Sequence, residues 1–402
     1  EGLPPVAPTL PLLDRAQIID GGEPSLFNAL SWNYGLTEFR GRADSLGAIL
    51  EWAQSDEPIS VRLISGPGGA GKTRLAAEAV REMRAADWTA GFLPPEAASA
   101  LRVLGDGTAG LFLVVDYPEE RRQIVDDLIA ALAEHGHAAA PIRVLLISRR
   151  GIEDWDGYAT RLKHRFGRQE LVRPGALTAE TALQVLEDAA RGLAELMGVE
   201  VPPLDAAAGW LSPVPDDPER RLPLFAAAAG LHAVMDPGAA FDLGGAQLMQ
   251  DLARRELDRV NRTSLPLGLR RAEAASAQDG LARLLALGTS CGAGLDAATL
   301  LDLQEALRVV PGVEGEVVLE RVQMTSWWSK GGSGTAGRLM PLTPDRLAAA
   351  FVAQVLLKSP HPKLPEQHWF AARAGGAGYG DTISRMGYDL HALGDGSAAA
   401  FE

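Results

Sequence analysis

The segment Gly66-Pro67-Gly68-Gly69-Ala70-Gly71-Lys72-Thr73 holds the residue types that grip a polyphosphate. Glycines let successive main-chain N–H groups turn inward around phosphate oxygens. A lysine at this spacing reaches the outer phosphates, and the next hydroxyl ligates Mg²⁺. Gly66, Gly68, Gly69, Ala70 and Gly71 are thus expected to cradle phosphate, with Lys72 as the cation, Thr73 as a metal ligand and Arg74 in the adjoining helical turn. The same stretch also satisfies the Gly-x-Gly-x-x-Gly dinucleotide pattern, which needs an acidic residue ending the second strand. Here that strand ends Phe92-Leu93-Pro94-Pro95, with Glu96 only beyond the prolines. The appended Lys72-Thr73 points to a nucleoside triphosphate instead. The plain alternative is a glycine-rich turn without a ligand.

Leu111-Phe112-Leu113-Val114-Val115-Asp116 is an apolar run ending in a carboxylate. A carboxylate at the C-terminal edge of a parallel sheet holds Mg²⁺, which makes Asp116 the second metal residue. The next residue is Tyr117, where many nucleoside triphosphatases keep a glutamate to activate water. Glu119 and Glu120 are close, yet they also read as the acidic first turn of a solvated helix, so slow hydrolysis is expected. Ile142–Ser148 ends in Arg149-Arg150. Arg149 at that strand tip can sense a γ-phosphate; the alternative is a pair of surface arginines capping the strand. Arg161, Lys163, His164, Arg165, Arg168 and Arg173 form the most basic segment. They read as a solvated face, or as arginines acting in trans on a neighbouring subunit's nucleotide. Gly288-Thr289-Ser290-Cys291-Gly292 fits Gly-x-Ser-x-Gly but follows a predicted helix, so it is read as a helix end and not a nucleophile elbow. Trp327-Trp328 is expected in a helix, as core.

Positioning these residues requires strands that alternate with helices. The runs Ile59–Ser65, Thr89–Leu93, Leu111–Asp116, Ile142–Ser148 and Gln169–Arg173 predict five strands. The 111 and 142 runs are almost continuously apolar, as strands covered on both faces must be. Leu75, Ala79 and Met83, and likewise Ile124, Leu128 and Leu132, recur every four residues, as a helix face requires. After Pro174 the strand pattern stops. Residues 178–262 read as helices broken at Pro202–Pro203, Pro213–Pro218 and Asp236–Gly238. Helical stretches Leu281–Leu287, Ala297–Val309 and Val317–Trp328, a glycine-rich loop Lys330–Arg338 and a helix from Asp345 fit a winged helix. The expected fold class is therefore α/β. A five-stranded parallel P-loop sheet with helices on both faces precedes a helical domain and a winged-helix domain. Boundaries are expected at 1–34 (linker from an upstream domain), 35–175, 176–265, 266–360 and 361–402 (start of a downstream segment).

Composition bounds the function. The chain has 402 residues, 47% hydrophobic and 22% charged, which suits globular domains and not a disordered chain. Its net charge of −14 argues against a coat for nucleic acid or an anionic membrane. One cysteine, Cys291, forbids an intramolecular disulfide framework, and the seven histidines show no paired metal spacing. No window reaches the roughly 18 uninterrupted apolar residues of a membrane span, and no signal-peptide pattern opens the chain. A cytoplasmic location is expected.

Taken in order, these motifs resemble the STAND class of signal-transduction NTPases over roughly residues 35–360. That class includes apoptosome scaffolds, plant NB-ARC proteins, NOD-like (NACHT) receptors and bacterial relatives such as the maltose regulator. Phe39-Arg40-Gly41-Arg42 looks like the class's Gly-Arg motif, which implies that Phe39 and Arg42 lie against the adenine. Arg221-Leu222-Pro223-Leu224 looks like its proline motif, which implies that Pro223 meets the base or ribose, although Arg221 stands where a glycine is usual. Leu342-Thr343-Pro344-Asp345 occupies the place of a Met-His-Asp triplet whose histidine touches the ADP β-phosphate. Pro344 replaces that histidine, and Asp345 can still cap the helix.

The resemblance implies ATP/ADP and Mg²⁺ as ligands, with Lys72, Asp116 and Arg149 as the working groups. It implies a chain closed with ADP that opens with ATP and a stimulus, forms a homo-oligomer and activates an effector. Effector and sensor domains would sit on the same chain or on a partner protein, in bacterial signalling or immunity. Rival expectations are an AAA-type remodelling ATPase with continuous turnover and a winged-helix DNA regulator. In the latter Val317–Trp328 would read the groove, yet it carries Glu320, Arg321 and few other charges. A scaffold that holds ADP permanently is compatible with Tyr117.

Overall fold

The apolar runs become strands and the amphipathic stretches become helices in a computed structural model. It describes residues 8–20, 22–93, 109–134, 140–212, 218–262, 280–292, 294–329, 337–357, 379–396 and 398. In chain order come the short strands β1 (Ile19–Asp20) and β2 (Glu23–Pro24), helices α1 (Leu26–Leu30) and α2 (Ala43–Ala53), then β3 (Ile59–Ser65) and α3 (Lys72–Ala85). Next are β4 (Thr89–Phe92), β5 (Leu111–Asp116), α4 (Arg122–Glu134), β6 (Ile142–Ser148) and α5 (Asp156–Leu162). The helices α6 (Ala179–Met197), α7 (Ala207–Trp210), α8 (Pro223–Met235) and α9 (Gly245–Arg262) follow. The chain forms two units. Unit 1 holds Glu1–Leu12, Thr37–Val185 and Arg221–Leu224; unit 2 holds Leu13–Leu36, Leu186–Arg220 and Phe225–Glu402.

Unit 1 is an α/β layer structure. Its sheet is parallel, with strand order β3-β6-β5-β4. The register aligns Ser65 with Ser148 and Asp116 with Ile147. Alternate residues serve opposite faces, as a pleated strand dictates. Leu111, Leu113 and Val115 pack with Val125, Leu128, Ile129 and Leu132 of α4 and with Tyr158 and Leu162 of α5. Phe112 and Val114 pack on the other face with Ile49 and Trp52 of α2 and Leu75, Ala79 and Met83 of α3. Burial on both faces is why β5 and β6 read as unbroken apolar runs. The open edge of β4 is covered by Thr9, which exchanges hydrogen bonds with Phe92 in both directions (3.0 and 2.6 Å).

Among the described residues the sheet has four strands where five were expected. The fifth segment does run along β3, as parallel bridges Val61↔Phe166 and Ile64↔Val172. Three steps along β3 therefore face six along its neighbour. The surplus residues bow out, and no continuous ladder forms. Hydrogen bonds from Gly167 N–H to Val61 C=O (3.0 Å) and from Leu171 N–H to Leu63 C=O (2.8 Å) tether the segment without making it a strand.

Unit 2 contains α7, α9 and the further helices Gly280–Ser290, Ala297–Leu307, Gly315–Gln323, Asp345–Val352 and Tyr379–Ala392. Strands β7 (Leu295–Asp296), β8 (Trp328–Ser329) and β9 (Arg338–Leu339) form an antiparallel sheet in the order β7-β9-β8. The helix predicted over Val317–Trp328 ends at Gln323, and Trp328 belongs to β8, so Trp327-Trp328 is not helical. Most of the Lys330–Arg338 loop, and Pro94–Glu96, lie outside the described residues.

The stretch read as linker carries α1 and buries Ile18, Leu26, Phe27 and Tyr34 in unit 2. Phe27 meets Phe351 edge to face at 5.4 Å. A charged anchor in this region comes from α9. Glu256 is fully buried and accepts from Ser25 Oγ (3.2 Å) and from the N–H of Leu26 (3.0 Å) at the start of α1. Arg259, 2.6 Å from Glu256, also reaches Asp20 and lies over the Trp327 ring at 5.1 Å. Among the described residues no helix is long and apolar enough to cross a membrane.

Candidate functional site

The glycine-rich loop joins β3 to α3 at the C-terminal edge of the unit 1 sheet. Gly69 and Gly71 both take φ +83°, a left-handed conformation that side chains resist. A Cβ on Gly66 would stand 2.9 Å from the Pro174 carbonyl oxygen. Gly68 and Ala70 are buried within the loop. The Lys72 ammonium donates to the carbonyls of Gly66 (2.8 Å) and Pro67 (3.0 Å), so it is held inside the turn. The first N–H groups of a helix have no intrahelical acceptor. Those of α3 open onto this loop, and with the helix dipole they favour an anion there.

Thr73 Oγ1, in the first turn of α3, donates to Asp116 Oδ2 at 2.9 Å. The loop and the Asp116 strand are thus brought together although β6 lies between their strands. Hydroxyl and carboxylate are the hard oxygen donors that suit Mg²⁺. Tyr117 follows at φ +50°, and its N–H bonds both Asp116 Oδ1 and the Ile147 carbonyl at 3.2 Å. The chain reverses there, and Glu119 becomes buried, with Oε2 lacking any hydrogen-bond partner.

Arg149 follows Ser148, the register partner of Ser65, and so emerges at the same sheet edge between the loop strand and the Asp116 strand. Arg74 is committed along its own helix, its Nε 2.8 Å from Glu78 Oε1. In the basic segment Arg161 faces Asp126 at 3.6 Å, Arg165 donates to the Leu132 carbonyl, and Arg173 stands 4.0 Å from Glu170.

The two motifs flanking the loop in sequence meet it in space. Arg42 Nη2 donates to the carbonyls of Ala70 (3.3 Å) and Gly175, while its Nε is buried without a partner. Burial lowers the Arg42 pKa from its ordinary value. Phe39 packs against the α2–α3 core face. Gly41 sits so close to α6 that a Cβ would come within 2.5 Å of Thr181. Leu224, the second residue of α8, donates its N–H to the Gly69 carbonyl at 3.2 Å. A Cβ on Gly71 would meet the Pro223 ring at 3.5 Å. Pro223 therefore rests on the phosphate loop.

Two contributors carried little signal. Glu170 accepts from Ser65 Oγ at 2.7 Å, fixing the residue before the loop. Pro174 and Gly175 offer carbonyls to the loop region from a segment that read only as a strand end. At the decoy, Ser290 Oγ donates to the Ala286 carbonyl inside its helix and is fully buried.

No protein-family model matches this chain, and no curated protein does. Distant likenesses occur among solved structures. The ORC2 protein of Aeropyrum pernix (ADPNP–ADP complexes) aligns at 16% identity and TM-score 0.38, over 83% of this chain and 98% of that one. Cdc6p of Pyrobaculum aerophilum aligns at 13% identity and TM-score 0.37, over 82% and 97%. The RuvB Holliday junction branch migration motor of Thermotoga maritima aligns at 16% identity and TM-score 0.33, over 78% and 96%. Likenesses this remote assign neither family nor activity, and the functional reading rests on the loop, the Thr73–Asp116 pair and the groups gathered on them.

Proposed function

We propose that unit 1 binds ATP or ADP with Mg²⁺ and that the chain works as a nucleotide-dependent switch of the STAND type. The observation that carries the binding is the loop's shape, with its glycines at positive φ, Lys72 turned inward and Thr73 2.9 Å from Asp116. Loop N–H groups and Lys72 would hold the outer phosphates, and Thr73 and Asp116 the Mg²⁺. Bound there, Mg²⁺ supplies neutralisation of phosphate charge. Arg149 is the γ-phosphate sensor in this reading. Phe39 and Arg42 flank the base, and Pro223 the base or ribose.

The seat of Pro223 and Leu224 on the loop supports a switch, because a ligand that shifts Gly69 or Gly71 acts directly on the start of α8. A nucleotide moves such an equilibrium only by its difference in affinity for the two states. The helix–strand–helix–helix–hairpin order of residues 280–339 supports a winged-helix domain after the helical one. Self-association on activation, and effector or sensor partners on this chain or another, belong to the same proposal. The test is to identify the nucleotide released when purified protein is denatured, then to follow light scattering with ADP and with a non-hydrolysable ATP analogue. Retained ADP and growth in size only with the ATP analogue are expected. No nucleotide and no response to either would contradict the reading.

The buried, unpartnered Glu119 Oε2 favours a second reading, an AAA-type ATPase with continuous turnover, because a carboxylate in that turn can activate water. Steady hydrolysis on the order of 1 s⁻¹ would select it. Near-zero turnover with retained ADP selects the switch.

A further inference from the structure

β4 is the edge strand of the unit 1 sheet. The N–H groups of Thr89 and of Leu93, just past the strand, donate inward to Gly110 and Val114, so the polar groups of Ala90 and Phe92 turn to the open side. Thr9 meets them there, exchanging with Phe92 both hydrogen bonds of an antiparallel pair (3.0 and 2.6 Å). Arg84 stitches the added segment to the strand: its Nε donates to the Ala90 carbonyl (2.7 Å) and its Nη2 to the Pro8 carbonyl (3.2 Å). Leu10 packs against the core face that holds Phe112 and Val114.

Both sides are shaped for this contact. A Cβ on Gly91 would stand 2.6 Å from the Pro8 carbonyl carbon and 2.7 Å from the Thr9 nitrogen. Glycine weakens a strand interior and marks a place where another backbone comes close. On the added segment, Pro8 and Pro11 flank Thr9-Leu10. Pro8 has no N–H to donate, and Pro11 keeps Leu10 out of the helical region, so the segment is preset as extended yet short. At Pro11 the chain folds back through a bond from Leu12 N–H to the Leu10 carbonyl (2.9 Å), and Leu12 is left 49% exposed. So short a strap comes away without unfolding the sheet, and opening the three-residue turn frees it to reach outward.

We propose that the β4 edge is a strand-docking surface and that its partner is a second copy of this chain, whose Pro8–Leu10 replaces the first copy's own. A second copy carries the sequence that already fits Gly91 and Arg84, so every bond of the closed chain is remade between copies. Exchange also avoids the unpaired main-chain groups that a released strap would leave on the edge. The surface does not involve the phosphate loop, so it stands or falls apart from the nucleotide reading. The test mixes two full-length variants, Thr9→Cys and Phe92→Cys, with a short bismaleimide; the native Cys291 is buried. A covalent dimer joined through positions 9 and 92, identified by peptide mass mapping, is expected. With Gly91→Ala added to the Phe92→Cys copy, its yield should fall at least about tenfold, because the new methyl occupies the strap's place. Alanine suits a strand better than glycine, so that loss reports the strap and not the sheet. A second readout is a labelled peptide of residues 6–12. It should bind Thr9→Pro, which lacks the N–H for Phe92, at least about tenfold tighter than wild type, whose edge is taken. A 9–92 cross-link that forms only within one chain carrying both substitutions, a dimer undiminished by Gly91→Ala, or equal peptide binding to Thr9→Pro and wild type would each overturn the proposal.

Discussion

Arg143 offers a test of how the sheet and its neighbouring helix are joined. It is the second residue of β6, fully buried, in a strand otherwise apolar but for its terminal serine. Its guanidinium donates to the carbonyls of Ala53 (3.0 Å), Ser55 (2.6 Å), Glu57 (2.6 Å) and Ile142 (3.1 Å). Ala53 is the last residue of α2, so this side chain satisfies one of the carbonyls that the helix C-terminus leaves over and ties down the segment that follows it. Arg143→Met keeps the stem and deletes the donors. The bonds to Ala53 and Ile142 are enclosed, whereas those to Ser55 and Glu57 lie where water can substitute. Two enclosed acceptors at about 1.5 kcal/mol each give about 3 kcal/mol of destabilisation. Relief from burying a charge offsets part of this, so about 2–4 kcal/mol is expected. Urea unfolding should show a lower midpoint at an unchanged slope. Arg143→Lys, which cannot span four carbonyls, should lose an intermediate amount. A loss below about 0.5 kcal/mol for Met, the scale of an ordinary surface change, would refute the assignment of these bonds as the anchor of α2.

Further outcomes follow from the same geometry. Asp116→Asn should weaken ATP binding about tenfold in the presence of Mg²⁺ and very little with EDTA, since it removes a metal ligand charge; equal losses in both buffers would exclude a metal role. His232 is buried on α8, 3.5 Å from Asp251, with its pKa lowered first by burial and then by Arg255. A histidine depressed in the folded state stabilises above its unfolded pKa of about 6.5 and loses that contribution as pH falls below it. The melting temperature should therefore drop on acidification below that value, and His232→Gln should flatten the drop; an unchanged pH slope would contradict this. Cys291 is buried and its thiol is pushed up to about 12 by desolvation. A thiol reagent at mildly alkaline pH should label it only after denaturant is added, and rapid labelling of native protein would show that helix end to be open.

The phosphate loop was legible because its chemistry is contiguous, with eight successive residues carrying both turn and charge. Strands β5 and β6 were legible because burial on both faces leaves an apolar run. The fifth strand was not, because an apolar stretch says nothing about register, and surplus residues between Phe166 and Val172 break the ladder. Arg143, Glu256 and Arg259 are charged residues in buried places. Glu256 and Arg259 pair within α9, but their further partners, Ser25, Leu26 and Asp20, and the Ala53 carbonyl that Arg143 meets, lie on other segments that no local pattern reveals. The 1–34 stretch looks like linker for its prolines, yet within it Ser25 and Leu26 bond Glu256 from more than 200 positions away, a contact no local pattern reveals. Trp328 was misread because a two-residue strand has no period to detect.

The most direct test of the central claim is isothermal calorimetry of Mg–ADP and Mg–ATP, after stripping any retained nucleotide, on wild type and on Lys72→Ala. Lys72 is the ammonium inside the turn, bonded to Gly66 and Pro67. Wild type should bind in the micromolar range or tighter, and Lys72→Ala should lose about a hundredfold, as removal of a charge-assisted phosphate contact implies. Equal affinities for the two proteins, or no heat with either nucleotide, would contradict a phosphate site in this loop.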